Sequence, residues 1–338
     1  MKIKVAVGQL APTEDAAANW EAAMRLAEQA AQGGARLLVL PEQTMLAQRG
    51  EDAAHFAALV APAWDWWPQA VRDAARRLDL AIVAGGFAPF GAPMAPCWHG
   101  GCPDSAGRAA DPAAKAPDAA GRSWDGRPGF PAMANAGTAE DSEAHGRADS
   151  PGGAGATPDG PEGTRPWNVL LAWDPADGII AVQAKTRLYD AFGGRESAMV
   201  RPGEAGMVRP VRLAGLTLGL VNCYELRFPE HARQLARAGA EILTLSAAWA
   251  RGPLKEDQWA TLARARAIEN CAYLLAAGTR AKDTIGRSMI IDPAGIIRAG
   301  LADEPEGLAI AEIDTDLVAA TRARVGSVPA ANPRAQAR

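Results

Sequence analysis

Cysteine and histidine are scarce in this sequence of 338 residues, which contains four of each. The scattered cysteines Cys97, Cys102, Cys223 and Cys271 are too few for the disulfide framework of a small secreted protein. Hydrophobic residues make up 48% of the chain, which is enough to bury a large core without such bridges. We therefore expect a globular protein in which each cysteine is buried filler, a ligand or a nucleophile.

A surplus of positive charge and a long apolar run are also absent. The 35 basic and 39 acidic residues give a formal charge of −4, which disfavours nucleic acid or an anionic membrane as a partner. No apolar run reaches the roughly 18 to 20 residues that span a bilayer. The opening MKIKVAVGQL turns polar too early for a signal peptide. The sequence therefore predicts a cytoplasmic protein with no nucleic-acid or membrane partner.

Aliphatic residues are missing from one long internal segment. Residues 91–165 contain no Ile, Leu or Val, and 42 of these 75 residues are Ala, Gly or Pro. Such a composition cannot bury enough apolar surface to offset the entropy cost of ordering the chain. The sequence therefore predicts one domain over residues 1–320, interrupted by a long disordered insertion at 91–165 and followed by a C-terminal tail at 321–338.

A short cluster of cysteine and histidine, CWHGGC, lies within this insertion. Cys97, His99 and Cys102 are residue types that bind zinc, but zinc sites use four ligands in closely spaced pairs. No second pair follows them in the segment. We therefore interpret the motif as part of the linker composition and predict no metal site.

Outside the insertion, aliphatic strands alternate with helical stretches. Predicted strands cover 2–10, 36–40, 80–87, 167–174, 178–186, 216–222, 241–249 and 271–278, and a late hairpin covers 288–300. Predicted helices cover 14–32, 66–79, 230–238 and 256–270. Strands that are aliphatic on both faces are typical of sheets covered by helices. The pattern therefore predicts an α/β fold in which the insertion joins two neighbouring strands.

Cys223 is the cysteine whose position is most informative. It directly follows the predicted strand 216–222, and Pro229 suits the first turn of the next helix. A bend between a strand and a helix exposes its side chains. A free thiol has a pKa of roughly 8.5, so a nucleophilic cysteine needs a base or a nearby positive charge. Both interpretations, nucleophile and filler, stay open for Cys223, whereas Cys271 lies in an apolar run typical of filler.

The histidines are poorly placed to activate this thiol. His99 and His145 lie in the insertion, and His231 lies on the helix that leads away from Cys223. A carboxylate or a lysine is therefore the expected partner. Glu42 follows the strand in LLVLPE and Lys185 ends AVQAK, which places both at strand ends, where α/β sheets collect catalytic groups. Each residue taken alone is more typical of a solvated surface charge, and Lys185 even more so than Glu42.

Several motifs in fixed order resemble the nitrilase superfamily of carbon–nitrogen hydrolases. They are LLVLPE, QAKTRLYD, RESAMVRPG, NCYELRFPE and, at 263–270, ARARAIEN. The resemblance runs from residue 2 to about 315 apart from the insertion. The string NCYELRFPE is most similar to the amidase branch that includes omega-amidase and deaminated-glutathione amidase.

The resemblance implies a four-layer αββα sandwich that forms a homodimer or a larger homo-oligomer and needs no cofactor. It also implies a Glu-Lys-Cys triad with a second glutamate. Carried over onto this sequence, the nucleophile is Cys223, the general base Glu42, the oxyanion-stabilising cation Lys185 and the supporting acid Glu196. Glu204 and Glu225 are the alternatives for the second acid.

The resemblance further implies that a small linear amide is hydrolysed to a carboxylate and ammonia through a thioester. The candidate substrate-facing residues are Tyr189, Tyr224, Arg227 and Trp249. Arg227 is suited to hold a substrate carboxylate, and is equally suited to a structural ion pair. Two residues depart from the pattern of the branch and bear on substrate choice, namely Asn222 before the nucleophile and Gln258 in DQW.

Two further interpretations stay open. The same residues would serve a nitrilase or an N-carbamoyl amino acid hydrolase. A binding protein could also retain this fold without turnover.

Overall fold

The computed structural model describes residues 1–50, 52–92, 164–204 and 208–328. Its strands are β1 (Lys2–Gln9), β2 (Leu37–Val39), β3 (Ala81–Ala88), β4 (Trp167–Asp174), β5 (Gly178–Ala184), β6 (Val211–Leu213), β7 (Leu216–Asn222), β8 (Ile242–Ala247), β9 (Tyr273–Gly278), β10 (Met289–Ile291), β11 (Ile297–Gly300) and β12 (Gly307–Asp314). Its helices are α1 (Ala16–Gln32), α2 (Ala53–Trp64), α3 (Trp67–Leu78), α4 (Glu196–Met199), α5 (Pro229–Arg237), α6 (Lys255–Asn270) and α7 (Thr315–Val325), with a 3-10 turn at Cys223–Arg227.

Within the described ranges, these strands form two six-stranded sheets. The first has the order β12-β1-β2-β3-β4-β5 and the second the order β11-β10-β9-β8-β7-β6. The strands β1, β2 and β3 are parallel, as are β7, β8 and β9. The flanking strands β12, β4 and β5 in the first sheet and β6, β10 and β11 in the second pair antiparallel.

Alternate residues of the central strands pack into different apolar layers, as the period of two in a strand requires. In β2, Leu38 packs with the helices α1 to α3, whereas Leu37 and Val39 face the second sheet. In β9, Leu275 faces the first sheet and Leu274 packs toward α5 and α6. The order of layers is therefore helices, sheet, sheet, helices, and the predicted αββα sandwich is confirmed.

The predicted strands and helices agree with the structure apart from small shifts at their ends, and β3 pairs with β4 on either side of the insertion. The sequence analysis missed α2, α4, β6, β12 and α7. Helix α7 reaches Val325 and so crosses the predicted start of the tail at residue 321. Residues 93–163, with nearly all of the predicted insertion and its CWHGGC motif, lie outside the described residues.

The topology brings several chain segments to one edge of the sandwich. The strands β2, β5, β7 and β8 all end there, and β4 begins there. Side chains from both sheets can meet only at such an edge or between the sheets, so it is the expected place for a site built from distant residues. No helix in the described ranges is both long and apolar enough to span a membrane.

Candidate active site

Cys223 opens the 3-10 turn directly after β7, as the sequence predicted. Its φ angle is +47°, a left-handed value that is uncommon for residues other than glycine. The turn is tied down by Glu225, whose carboxylate accepts hydrogen bonds from the backbone N–H of Asn222 (2.9 Å) and of Thr186 (2.8 Å). The thiol is therefore fixed relative to the end of β5, where Lys185 lies.

Glu42 is buried beyond the end of β2. Its Oε1 accepts from Lys185 Nζ at 2.6 Å, and its Oε2 accepts from the backbone N–H of Ala248, just after β8, at 2.8 Å. The main chain of Glu42 also lies directly against Gly85 in β3, where a Cβ atom would come within 2.0 Å of the Glu42 carbonyl oxygen. Position 85 therefore requires glycine if the Pro41–Glu42 segment is to keep this place.

Lys185 is buried between two carboxylates. Its Nζ donates to Glu42 and also to both oxygens of Glu196, at 3.0 and 2.9 Å. Glu196 is held in turn by the backbone N–H of Tyr189 at 2.6 Å. A solvated lysine at this strand end, the alternative that the sequence left open, is therefore wrong: Lys185 is only 1% exposed.

The three candidates for the second acid separate clearly. Glu196 contacts Lys185 directly. Glu225 is buried but serves the nucleophile turn and Thr186, and its Oε2 lies 3.5 Å from His231 Nε2. Glu204 is exposed. The structure thus brings Glu196 into the group with Glu42, Lys185 and Cys223.

The ionisation of these groups follows from burial and mutual charge. Burial raises the pKa of the Cys223 thiol well above 9.0, and the negative charge of Glu42 raises it further. Burial also disfavours the charged forms of Glu42 and Lys185, but neighbouring charges more than offset it. The charge of Lys185 brings the pKa of Glu42 below its usual value of 4.5, and the charges of Glu196 and Glu42 raise the pKa of Lys185 well above 10.5. The resting site therefore holds a neutral thiol beside a carboxylate and an ammonium group.

Asn168 is a site residue that the sequence analysis missed. It lies near the start of β4, is 1% exposed, and donates from Nδ2 to Glu42 Oε1 (2.8 Å) and Glu196 Oε1 (3.0 Å). A single amide in the otherwise apolar run WNVLL was the available signal. We call Glu42, Lys185, Glu196 and Asn168 the inner cluster.

A second group of side chains lies near Cys223, whose charge acts on Lys255 and Tyr189. Arg227 lies over the ring of Trp249, with 4.8 Å from Cζ to the ring centroid, and Lys255 Nζ lies 3.9 Å from the centroid of Phe192. Lys255 was not among the predicted residues, because nothing in GPLKEDQW distinguishes it from a surface lysine. Burial and the charge of Arg227 lower its pKa.

The two tyrosines complete this second group. Tyr189 and Tyr224 pack edge to face at 5.2 Å, and Lys255 Nζ lies 5.8 Å from the Tyr189 ring centroid. Burial raises the pKa of Tyr189, the charge of Arg227 lowers it, and the charge of Cys223 raises it. All four predicted substrate-facing residues therefore lie together. We call the set Tyr189, Phe192, Tyr224, Arg227, Trp249 and Lys255 the cationic rim.

The remaining cysteine and histidine of the described chain lie away from this chemistry. Cys271 is buried at the end of α6 with its sulfur 3.3 Å from Ser327 Oγ, as expected of filler. His55 lies in α2. In the described ranges, no group of three or more His, Cys, Asp or Glu residues is placed to hold a metal ion.

Comparison with known proteins gives matches both to a protein family and to solved structures. The family model described as carbon-nitrogen hydrolase matches residues 4–99 and 138–323. A deaminated glutathione amidase from Escherichia coli is 45% identical over 162 residues, which make up 48% of this chain and 60% of that enzyme.

Solved structures match over nearly the whole chain. The Caenorhabditis elegans NitFhit protein has a TM-score of 0.69 at 23% identity, with 96% of this chain and 64% of that chain covered. A mutant amidase from Nesterenkonia, with acrylamide added at its active-site cysteine, has a TM-score of 0.62 at 21% identity, with 96% and 98% covered. At these identities, the matches support the fold.

Proposed function

Because this chain belongs to the carbon–nitrogen hydrolase family, as its motifs predicted, and is a hydrolase of carbon–nitrogen bonds other than peptide bonds, we propose that it cleaves a small linear amide through a thioester on Cys223. The observation that carries the proposal is the position of Cys223 on a left-handed turn beside the Glu42–Lys185 ion pair. The E. coli relative is named an amidase, which supports an amide rather than another substrate of the family.

In the first half of the proposed reaction, Glu42 accepts the thiol proton as Cys223 Sγ attacks the amide carbon. A neutral thiol needs such a base at the moment of attack, and the lowered pKa of Glu42 keeps that base ionised. Lys185 and the backbone N–H of Tyr224 stabilise the oxyanion. The carbon–nitrogen bond then breaks, Glu42 returns the proton to the departing ammonia, and a thioester remains.

In the second half, Glu42 takes a proton from water as the water attacks the thioester carbon. The second tetrahedral intermediate expels the thiolate and gives a carboxylic acid, Glu42 returns its proton to the sulfur, and the product acid loses its own proton to solvent as it leaves as a carboxylate. Glu196 keeps its two hydrogen bonds to Lys185 throughout and so holds the ammonium group between the two acids. No cofactor or metal takes part in this cycle.

We further propose that the acyl group carries a carboxylate at its far end. Arg227 and Lys255 bring two cations close to Cys223, and among the described residues neither forms an ion pair. Two like charges held together over ring faces disfavour each other, and an anionic ligand relieves that repulsion. A dicarboxylic acid monoamide fits both ends of the site.

The test is a panel of a dicarboxylic acid monoamide, the matching neutral amide, a nitrile and an N-carbamoyl amino acid, assayed for ammonia. We expect ammonia from the monoamide, and a mass increase of one acyl group on Cys223 when the reaction is quenched in acid. Removing the nucleophile of a serine hydrolase lowers kcat about a million-fold, so Cys223→Ala should abolish both signals while Cys271→Ala retains them.

The other outcomes are equally informative. Ammonia from the nitrile or the carbamoyl compound alone would replace the amide by that substrate class. Turnover that survives Cys223→Ala would refute the thioester. Full binding of the monoamide without any acyl adduct or ammonia would identify a binding protein of this fold.

A further inference from the structure

We propose that Asn168 and Asn222 form a directional hydrogen-bond relay that positions the two acids of the inner cluster against the nucleophile turn. Asn168 Oδ1 accepts from Asn222 Nδ2 at 2.9 Å, while Asn168 Nδ2 donates to Glu42 and Glu196. Asn222 is the residue directly before Cys223. The inference rests on the proposed function, because it assigns a role in holding Glu42 ready to accept the thiol proton.

The direction of the relay is fixed by chemistry. An ionised carboxylate only accepts hydrogen bonds, so the side chain that faces Glu42 and Glu196 must present its NH₂ group. This orientation uses both hydrogens of Asn168 and turns its carbonyl oxygen toward Asn222. Asn222 must then present its own NH₂ group, because two facing carbonyl oxygens would repel each other. The orientation of both amides therefore follows from the acids.

The relay adds a direct side-chain link between the two sheets. Asn168 lies on β4 of the first sheet and Asn222 at the end of β7 in the second sheet. The backbone carbonyl of Asn168 also accepts from the backbone N–H of Lys185 at 2.8 Å. One residue thus contacts Glu42 and Glu196 through its side chain and Lys185 through its main chain, and it reaches Cys223 through Asn222.

Burial makes these contacts difficult to replace. Asn168 is 1% exposed and Asn222 is fully buried, so water has no access to substitute for a lost partner. A packing role alone would be served better by an aliphatic residue, as in the neighbouring positions of both strands. The two amides are therefore positioning residues: they act on the reacting atoms through the carboxylates and through the turn.

The experiment compares Asn168→Leu, Asn222→Leu and the double variant in the full-length protein. We expect Asn168→Leu to lower kcat by about 10- to 100-fold, the usual effect of removing a residue that orients a catalytic group, with KM within about twofold. Asn222→Leu should lower kcat by about 2- to 10-fold, the effect of one lost hydrogen bond. In the double variant the loss should equal that of Asn168→Leu alone, because both belong to one relay.

A second readout does not depend on the substrate. The rate of Cys223 alkylation by iodoacetamide is followed against pH, with the signal of Cys223→Ala subtracted for the other three cysteines. A donor to a carboxylate favours its charged form, so Asn168→Leu should move the acid limb of this profile up by about 0.5 to 1 pH unit. Thr244→Val, which removes a buried hydroxyl in β8 that has no partner among the described residues, is the matched control and should leave both readouts unchanged.

Losses that multiply in the double variant, or an acid limb that stays in place in Asn168→Leu, would overturn the relay. If Asn168→Leu fails to fold, Asn168→Asp keeps the shape, removes both amide donors and should give the same loss of kcat; wild-type kcat in that variant would also overturn the proposal. A wild-type protein that alkylates at Cys223 but releases no ammonia would contradict the proposed function and leave the alkylation profile to decide on the relay.

Discussion

The inner cluster and the cationic rim both lie near Cys223, but charge is compensated differently in the two groups. In the inner cluster, the Lys185 ammonium is enclosed by two carboxylates and all three groups are at most 9% exposed. In the cationic rim, Arg227 and Lys255 rest on aromatic rings, and Gln258, a neutral residue, supplies the polar contact of Arg227 at 2.7 Å. The chain completes the first region by itself, whereas under the proposed function an anionic substrate completes the second region.

This difference separates reaction from recognition. A fully paired buried cluster keeps its geometry before, during and after turnover, which is what preorganised electrostatic stabilisation requires. Cations over rings are held less rigidly and gain a strong partner only when a carboxylate arrives. Substitutions in the inner cluster should therefore lower kcat, and those in the cationic rim should raise KM.

Removal of Lys185, the central cation of the inner cluster, should have the largest effect on turnover and stability. Lys185→Met leaves two buried acids without their partner, so we expect no measurable turnover and a loss of about 3–5 kcal/mol in the free energy of unfolding. Denaturant unfolding followed by circular dichroism measures the second quantity. Arg77→Met, which removes an exposed ion pair with Glu28 at 3.0 Å, is the matched control and should change stability little. Equal stability of the two variants would contradict the description of the inner cluster.

Removing one cation should weaken the rim selectively. In Arg227→Gln or Lys255→Gln, the loss of one charge-assisted contact should raise KM for a carboxylate-bearing amide by about 10- to 100-fold. The matching neutral amide should be affected much less, since it has no carboxylate to hold. Initial rates on the pair of amides measure this ratio, and a similar rise in KM for both amides would show that these cations do not read the substrate charge.

A smaller effect is expected from the residue that orients the rim. Gln258→Leu leaves the charge of Arg227 in place but removes the hydrogen bond that directs it. We expect KM for the carboxylate-bearing amide to rise by about 2- to 10-fold, in line with one neutral hydrogen bond. Gln69→Leu, on the exposed surface of α3, serves as the control. A Gln258→Leu variant with unchanged KM would mean that the aromatic rings alone position Arg227.

The smallest effect should be that of pH over the neutral range. Glu42 must be ionised to accept the proton, and because its pKa lies below 4.5, activity should be lost only as the pH falls through that lower value. The raised pKa of Cys223 keeps the thiol protonated until the pH exceeds 9.0, so no alkaline limb is expected below that point. A plot of kcat/KM against pH should therefore be level between these limits. An inflection near neutrality would identify a titrating group outside the inner cluster.

The motifs that resemble the nitrilase superfamily predicted the four-layer fold and the residues Glu42, Lys185, Glu196 and Cys223. Glu42, Lys185 and Cys223 also lie at strand ends, whereas Glu196 opens the short helix α4. The sequence could not tell whether Lys185 was buried, since burial depends on how the two sheets meet. Asn168 was missed because an amide within an aliphatic strand has no partner that the linear sequence reveals: Glu42, its first partner, lies 126 positions away.

The missed elements have similar physical reasons. Helix α2 contains Pro62 and is apolar on most of its surface, so it lacks the usual helical pattern. Strand β12 is recognisable only from its pairing with β1, which joins residues about 300 positions apart. Lys255 belongs to the cationic rim because it is the first residue of α6, although the surrounding sequence resembles an exposed helix start.

The close approach of Gly85 to Glu42 limits how this enzyme can change. The main chain of Glu42, the proposed general base, is already in contact with a neighbouring strand, so that segment has no space into which it can withdraw when a larger acyl group arrives. We therefore expect room for bulkier substrates to come from smaller residues in place of the aromatic side chains of the cationic rim. Attempts to broaden the substrate range by directed evolution should accumulate changes there and leave position 85 untouched.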